Sequence, residues 1–240
     1  MKTIPFELDE DDPREAPFGL IALQTDETIE PELGRYFSDI SNPMYVTRVP
    51  SGSDVTKDTL SAMEQCLPSA AALLPSARQY AVIGYGCTSG SSVIGSNTVE
   101  AIVKSGCNTA HVTDPLRATL ACASAKGVSR FALLSPYVEE VNTALRTAFL
   151  RGGITTDVFG SFGVKEETKV VRISATSIIE AAEELGKDQS VDAVFVSCTN
   201  LRTYDALAQI EARIGKPVMS SNQSLAWHMR QLSKQVVTKT

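Results

Sequence analysis

The chain holds five cysteines, at positions 66, 87, 107, 122 and 198, and only two histidines, His111 and His228. No two cysteines form a CxxC pair, and zinc or iron–sulfur sites need clustered soft ligands, so no metal is expected. Two of the five stand apart. Cys87 lies in Gly86-Cys-Thr-Ser-Gly-Ser-Ser92, directly after the apolar run Tyr80–Tyr85. Cys198 lies in Ser197-Cys-Thr-Asn200, directly after Asp192–Val196. A thiol is a base or nucleophile only as its thiolate, with an unperturbed pKa near ~8.5. Loops of small residues ahead of a helix N-terminus are expected to lower that value, because backbone N–H groups point at the sulfur. A thiolate on one face of a carbon acid and a thiol on the other can remove a proton and return one with inversion. Alternatively, a thiolate can add to an activated double bond and permit rotation about the resulting single bond. Neither route needs a metal or an organic cofactor, and none is expected.

The other candidates are weaker. Cysteine is among the most buried residue types, and Cys66, Cys107 and Cys122 sit in helical or connecting context, as inert thiols. The Gly86–Gly95 segment lacks both the Lys of a phosphate loop and the full GxGxxG spacing. Ser89, Ser91 and Ser92 include a conceivable hydrolase nucleophile, yet neither histidine stands in a recognisable base context. His111 and His228 are read as structural.

Strands are expected at Phe18–Leu23, Tyr45–Val49, Tyr80–Tyr85, Arg130–Leu134, Ile154–Phe159, Asp192–Val196 and Pro217–Met219. Between them fall helical patterns. One runs from about Asp54 to Ala77, broken or kinked by Pro68 and Pro75. Others cover Asn97–Lys104, Arg117–Ala125 and Glu139–Leu150. Ser177–Leu185 carries Ser177 and Glu180 at capping-box spacing. Thr203 is expected to cap a helix bearing Leu207, Ile210 and Ile214, and a last helix covers Ser224–Leu232. Such alternation implies parallel sheets covered on both faces, with ligands at the carboxyl ends of the strands. The two strand-end cysteines, a little under half the chain apart, suggest a faint internal repeat of two α/β lobes.

Composition bounds the function. The chain has 240 residues, 43% of them hydrophobic and 21% charged, as in ordinary globular proteins. Its formal charge of -6 repels phosphate backbones, so nucleic acid is not an expected partner. No run approaches the ~18 apolar residues of a membrane span. Met1–Glu15 is acidic and lacks the regions of a signal peptide, so disulfides are not expected and a cytoplasmic location is.

Three segments together carry a resemblance: Gly84-Tyr-Gly-Cys-Thr-Ser-Gly-Ser91, Val196-Ser-Cys-Thr-Asn200 and, between them, Ser135-Pro-Tyr-Val-Glu-Glu-Val-Asn142. From about Phe18 to Leu232 the chain resembles the Asp/Glu racemase superfamily. It is most similar to the branch of maleate cis–trans isomerases, arylmalonate decarboxylases and ectoine-utilisation racemase-like proteins. The resemblance implies an α/β fold of two pseudo-symmetric lobes, each a short parallel sheet flanked by helices, with the active site between them. It implies residues 1–114 plus 218–240 as the first lobe and 115–217 as the second. Cys87 and Cys198 match the paired catalytic cysteines, and Tyr137 matches a tyrosine whose hydroxyl contacts a substrate carboxylate. Thr88, Ser89, Thr199 and Asn200, with neighbouring N–H groups, match the cradles that hold carboxylate and stabilise enolate charge.

Two departures bear on substrate. Arylmalonate decarboxylases keep only the second cysteine, so Cys87 argues against decarboxylation. Maleate isomerases carry an asparagine after the first strand, where this chain reads Gln24-Thr-Asp-Glu27, and a second asparagine near Glu166 or Glu167. An acid in place of an amide repels a carboxylate and favours an ammonium group. Asp26 therefore points to an amino-acid-like substrate, unless it only caps the following helix. The expected function is a cofactor-independent racemase or isomerase of a small amino or dicarboxylic acid, as a monomer or homo-oligomer. A maleate cis–trans isomerase with a nucleophilic cysteine is the alternative. An arylmalonate-type decarboxylase and a non-catalytic binding module rank behind it.

Overall fold

The computed structural model describes residues 1–8 and 15–237. Eight strands alternate with ten helices along these residues. The first sheet takes β1 (Phe18–Leu23), β2 (Met44–Val49), β3 (Tyr80–Gly86) and β4 (Thr109–Thr113) in the order β2-β1-β3-β4. The second takes β5 (Arg130–Ser135), β6 (Thr155–Ser161), β7 (Ala193–Val196) and β8 (Val218–Ser220) in the order β6-β5-β7-β8. Every pairing within them is parallel. The two orders are the same pattern, so the internal repeat is real at the level of topology. β1, β3 and β7 are buried at every residue, as central strands covered on both faces must be, which is why they read as unbroken apolar runs.

The helices are α1 (Ile29–Tyr36), α2 (Lys57–Ala72), α3 (Thr88–Ile94), α4 (Ser96–Gly106), α5 (Pro115–Lys126), α6 (Glu139–Arg151), α7 (Glu167–Val170), α8 (Ala175–Gly186), α9 (Leu207–Ile214) and α10 (Ser221–Val237). Among the described residues no helix is long and apolar enough to cross a membrane.

Several expected boundaries move. α2 continues through Pro68 without a break; Leu67, Ala70 and Ala71 around it are buried, and that packing outweighs the lost hydrogen bond. α8 is capped by Ser174, whose hydroxyl accepts from the Ser177 N–H at 3.0 Å, so Ser177 lies inside the helix. α9 starts four residues beyond Thr203, whose hydroxyl is instead drawn to Glu32 at 3.1 Å. The return to the first lobe expected at 218 is displaced in the strand pairing, since β8 pairs with β7. Only α10 goes back, packing on β3, α1 and β4 of the first lobe while also covering α5.

The lobes are joined directly over the strand ends. Val55 N–H donates to the Lys165 carbonyl at 2.8 Å, and Glu167 N–H to the Ser53 carbonyl at 3.0 Å. Lys165 also pairs with Asp54 at 3.2 Å. On the opposite flank, the buried Glu32 of α1 accepts from the backbone N–H of Thr203 (2.6 Å) and Tyr204 (2.8 Å) and from Asn222 (2.9 Å).

Candidate active site

β3 delivers Cys87 to the N-terminus of α3, where its sulfur accepts the Gly90 N–H at 3.1 Å and lies 3.6 Å from the Ser89 hydroxyl. Only glycine fits at position 90. A Cβ there would stand 2.9 Å from the Cys87 sulfur and 2.6 Å from the Tyr85 hydroxyl oxygen. β7 delivers Cys198, whose φ of 113° is the only positive one outside glycine among the described residues. Such a backbone stores roughly 1–3 kcal/mol and persists only where its surroundings hold it.

Here the hold is Ser221, the first residue of α10. Its Oγ accepts the Cys198 N–H at 3.0 Å and the Thr88 hydroxyl at 2.8 Å. The Thr199 hydroxyl in turn donates to the Gly86 carbonyl at 3.3 Å. The two cysteine loops are thus cross-tied from both sides. Ser221 is missing from the sequence reading, although its signal was present: Ser220-Ser221-Asn222 is a third run of small polar residues directly after a strand.

Tyr137 enters from the loop after β5. Its carbonyl accepts from Asn142 Nδ2 at 2.7 Å and from the Ser161 hydroxyl at 2.5 Å, which fixes the loop. Its hydroxyl sits beside the Cys198 thiol and within electrostatic reach of Cys87. All eight residues singled out from the sequence, namely Asp26, Cys87, Thr88, Ser89, Tyr137, Cys198, Thr199 and Asn200, are buried. The remaining cysteines lie elsewhere, on α2 (Cys66), after α4 (Cys107) and on α5 (Cys122). His228 accepts or donates at the Thr113 hydroxyl (2.8 Å), and burial lowers its pKa to about 4, which keeps it neutral.

The thiols do not behave as their loops alone predicted. Burial pushes Cys87 up to about 12, against the pull of the Ser89 hydroxyl and the Gly90 N–H. Burial also pushes Cys198 well above its ordinary value; the charge of Glu167 adds to this, while the Asn200 N–H and the Tyr137 hydroxyl oppose it. Desolvation outweighs helix-end stabilisation here because the sulfurs are shut away from water. Both are thiols at neutral pH.

Two carboxyls complete the site. Asp26 Oδ1 accepts the N–H groups of Thr28 and Ile29, each at 2.8 Å, and so caps α1. Its Oδ2 is buried with no hydrogen-bond partner among the described residues. Glu167 is buried, and its Oε2 accepts from Asn200 Nδ2 at 2.8 Å. Burial raises the Glu167 pKa to about 7, opposed by Asn200 and aided by the charge of Asp26. Of the two glutamates expected near the family's second asparagine, Glu167 is therefore the inward one; Glu166 is only half-buried and paired with Lys169 at 2.6 Å. Asn200 Oδ1 accepts the Glu27 N–H at 3.0 Å, so its side chain is committed at both ends, to the Asp26 turn and to Glu167.

The space beside Glu167 is small, about 10 Å³, walled by Leu23, Val55, Leu60 and Met63 among others. A far larger groove of about 610 Å³ opens outside, past Glu27 and Thr28 towards Arg35 and Tyr204. Neither cysteine lines it, so volume alone does not mark the chemistry.

A model of the arylmalonate decarboxylase family matches residues 62–239. The chain belongs to this family. Arylmalonate decarboxylase of Bordetella bronchiseptica is 29% identical over 106 residues, a match spanning 43% of each protein. Solved structures extend the likeness over nearly the whole chain. A mutant of the Nocardia farcinica maleate cis–trans isomerase, with a covalently bound succinylcysteine intermediate, is 24% identical with a TM-score of 0.78, covering 91% of this chain and 93% of that one. The maleate isomerase of Pseudomonas putida S16 with maleate gives 18% identity and a TM-score of 0.76, covering 89% and 90%. A liganded double mutant of arylmalonate decarboxylase, with one glycine changed to cysteine and one cysteine to serine, gives 21% and 0.77, covering 91% and 93%. The family thus sits in the Asp/Glu racemase superfamily, with the fold of two parallel-sheet lobes.

Proposed function

We propose that this protein is a cofactor-independent racemase or isomerase of a small amino or dicarboxylic acid, with Cys87 and Cys198 as its acid–base pair. The observation that carries the reading is the shared tether: one Ser221 oxygen receives both the Thr88 hydroxyl and the Cys198 N–H. The tether holds the two cysteine loops together, and the Tyr137 hydroxyl lies within electrostatic reach of both thiols, which supports a shared site. A thiolate takes the α-proton and becomes a thiol, and the electron pair passes into the carboxylate as an enediolate. The opposite thiol then gives its proton to the other face. Backbone N–H groups of the two loops and the Tyr137 hydroxyl stabilise the enediolate, in a dry site where such contacts count most.

The second reading is cis–trans isomerisation of maleate, supported by the succinylcysteine found in a solved relative. In that case one thiolate adds to the double bond, the adduct rotates, and the thiolate leaves. Decarboxylation of an arylmalonate is the family's namesake chemistry, and Cys87 is unnecessary to it.

Solvent exchange separates the three. The proposed reaction incorporates deuterium at the α-carbon of a small amino or dicarboxylic acid from D₂O. Cys87→Ala and Cys198→Ala each abolish net inversion, and one of them retains exchange for a single enantiomer. Full turnover by Cys198→Ala defeats the proposal. Conversion of maleate to fumarate without exchange selects the second reading, and CO₂ release selects the third.

A further inference from the structure

The acid–base pair leaves two buried carboxyls unused. Asp26 spends one oxygen on the N-terminus of α1 and holds the other, Oδ2, buried with no hydrogen bond of normal length, the Thr199 hydroxyl nearby being directed to Gly86. Glu167 reaches the same region from the opposite lobe, on the segment that bridges Ser53–Val55 over the strand ends. Asn200 joins them: Nδ2 on Glu167 at 2.8 Å, and Oδ1 on the Glu27 N–H, one residue past Asp26, at 3.0 Å. The charge of Asp26 acts on Glu167, and both carboxyls act on Cys198.

Of the nearby cations, Arg48 acts on Asp26 through its charge, but its hydrogen bonds go elsewhere than the carboxyl. Arg48 Nη1 donates to the carbonyls of Leu23 and Asp26, both at 2.8 Å, and Nη2 pairs with Glu30 at 2.5 Å. Lys165 pairs with Asp54. An open, buried carboxylate oxygen beside a second carboxylate is costly unless a positive ligand group or a proton neutralises it.

We infer that Asp26 and Glu167 form a two-carboxylate subsite, one from each lobe, that receives the ammonium group of an α-amino acid substrate. This rests on the proposed reaction only for its location, since the subsite binds whether or not the cysteines turn the ligand over. It sets the substrate class: a dicarboxylate such as maleate would meet two like charges, whereas a zwitterion places its ammonium between Asp26 and Glu167 and its carboxylate among the N–H groups of the cysteine loops. The ammonium also opposes the carboxylate charges that, after burial, help hold the Cys198 proton on.

Equilibrium binding to Cys87→Ala/Cys198→Ala tests this apart from catalysis. The probes are matched pairs, 2-aminobutyrate against butyrate and aspartate against succinate, with maleate as a further competitor. In this inactive protein at least one amino acid is expected to bind on the order of ten-fold or more tighter than its desamino partner. Adding Glu167→Gln, which keeps an acceptor for Asn200, or Asp26→Asn, which keeps the cap on α1, shrinks that ratio towards one. Neither change weakens the desamino acids. Equal binding within both pairs, or a preference that survives Glu167→Gln, overturns the inference. The D₂O experiment on the wild type judges the reaction independently: exchange without ammonium preference rejects the subsite alone, and ammonium preference without exchange rejects the reaction alone.

Discussion

Replacing Glu167 with Gln is expected to stabilise the empty protein, and only above acidic pH. The folded state holds this carboxyl at about 7, against an ordinary value of 4.5, chiefly because burial disfavours the charged form. A raised folded pKa means the folded chain binds more protons than the unfolded chain between those values. The associated stability is fully present below about 4.5 and is lost as pH climbs to about 7, after which the loss is constant. Its full size corresponds to about 3 kcal/mol, and proton sharing with Asp26 reduces that to roughly 2–3 kcal/mol. The groups facing Glu167 are Asp26, Asn200, Cys198 and Cys87; the thiols stay neutral across this window, and Asp26 is present in both proteins. Gln keeps the side-chain length and an acceptor for Asn200, so the difference between variant and wild type isolates the charge. Urea unfolding of both proteins in matched buffers from pH 4.5 to 8 gives it directly. Near-equal stability is expected at pH 4.5, and a variant more stable by about 2 kcal/mol or more at pH 8. That corresponds to several degrees in Tm for a chain of this length. A difference that is the same at both ends of the range would refute the reasoning, because a pH-independent effect is one of packing.

Ser221→Ala removes the oxygen shared by Thr88 and the Cys198 N–H. Leaving that buried N–H unpaired costs about 1–3 kcal/mol, and kcat should fall more than KM rises. Unaltered kcat in a folded variant would show that the tether is dispensable. Gly90→Ala drives a methyl to within 2.9 Å of the Cys87 sulfur; activity measured on Gly90→Ala should drop by at least about ten-fold with stability lowered by roughly 1–3 kcal/mol, and wild-type turnover would show that α3 can shift freely.

The lobes were legible because their central strands are unbroken apolar runs, and a buried parallel strand has no polar face to disguise it. What escaped were elements with mixed character. β4, Thr-Ala-His-Val-Thr, is a half-covered edge strand with one aliphatic residue of any size. α3, Thr-Ser-Gly-Ser-Ser-Val-Ile, is built from poor helix formers. It is helical because its first turn holds Cys87 and is packed in the interior, so tertiary context overrides propensity. Thr203 misled for a related reason. A threonine ahead of an apolar helical pattern reads as a cap, yet its partner is Glu32, more than half the chain away in sequence and adjacent only once the lobes close.

The same limit separates the two halves of the site. Cysteines announce themselves, since their chemistry is carried by residue type and strand-end position within a few residues. The carboxyls do not. Asp26 reads equally well as a helix cap, and the structure has it doing that with one oxygen. What distinguishes it is the other oxygen, left without a partner by burial, and burial is a property of the assembled lobes. Glu167 is harder still. It sits beside an acid of identical type, and only the backbone pairing of Ser53–Val55 with Lys165–Glu167 turns one inward and leaves Glu166 with Lys169. A carboxylate whose significance depends on which lobe it faces is visible only when both lobes are present. That is why the candidate cysteines, and Asp26 as one of two readings, could be named from the sequence, while the choice of Glu167 over Glu166 needed the fold.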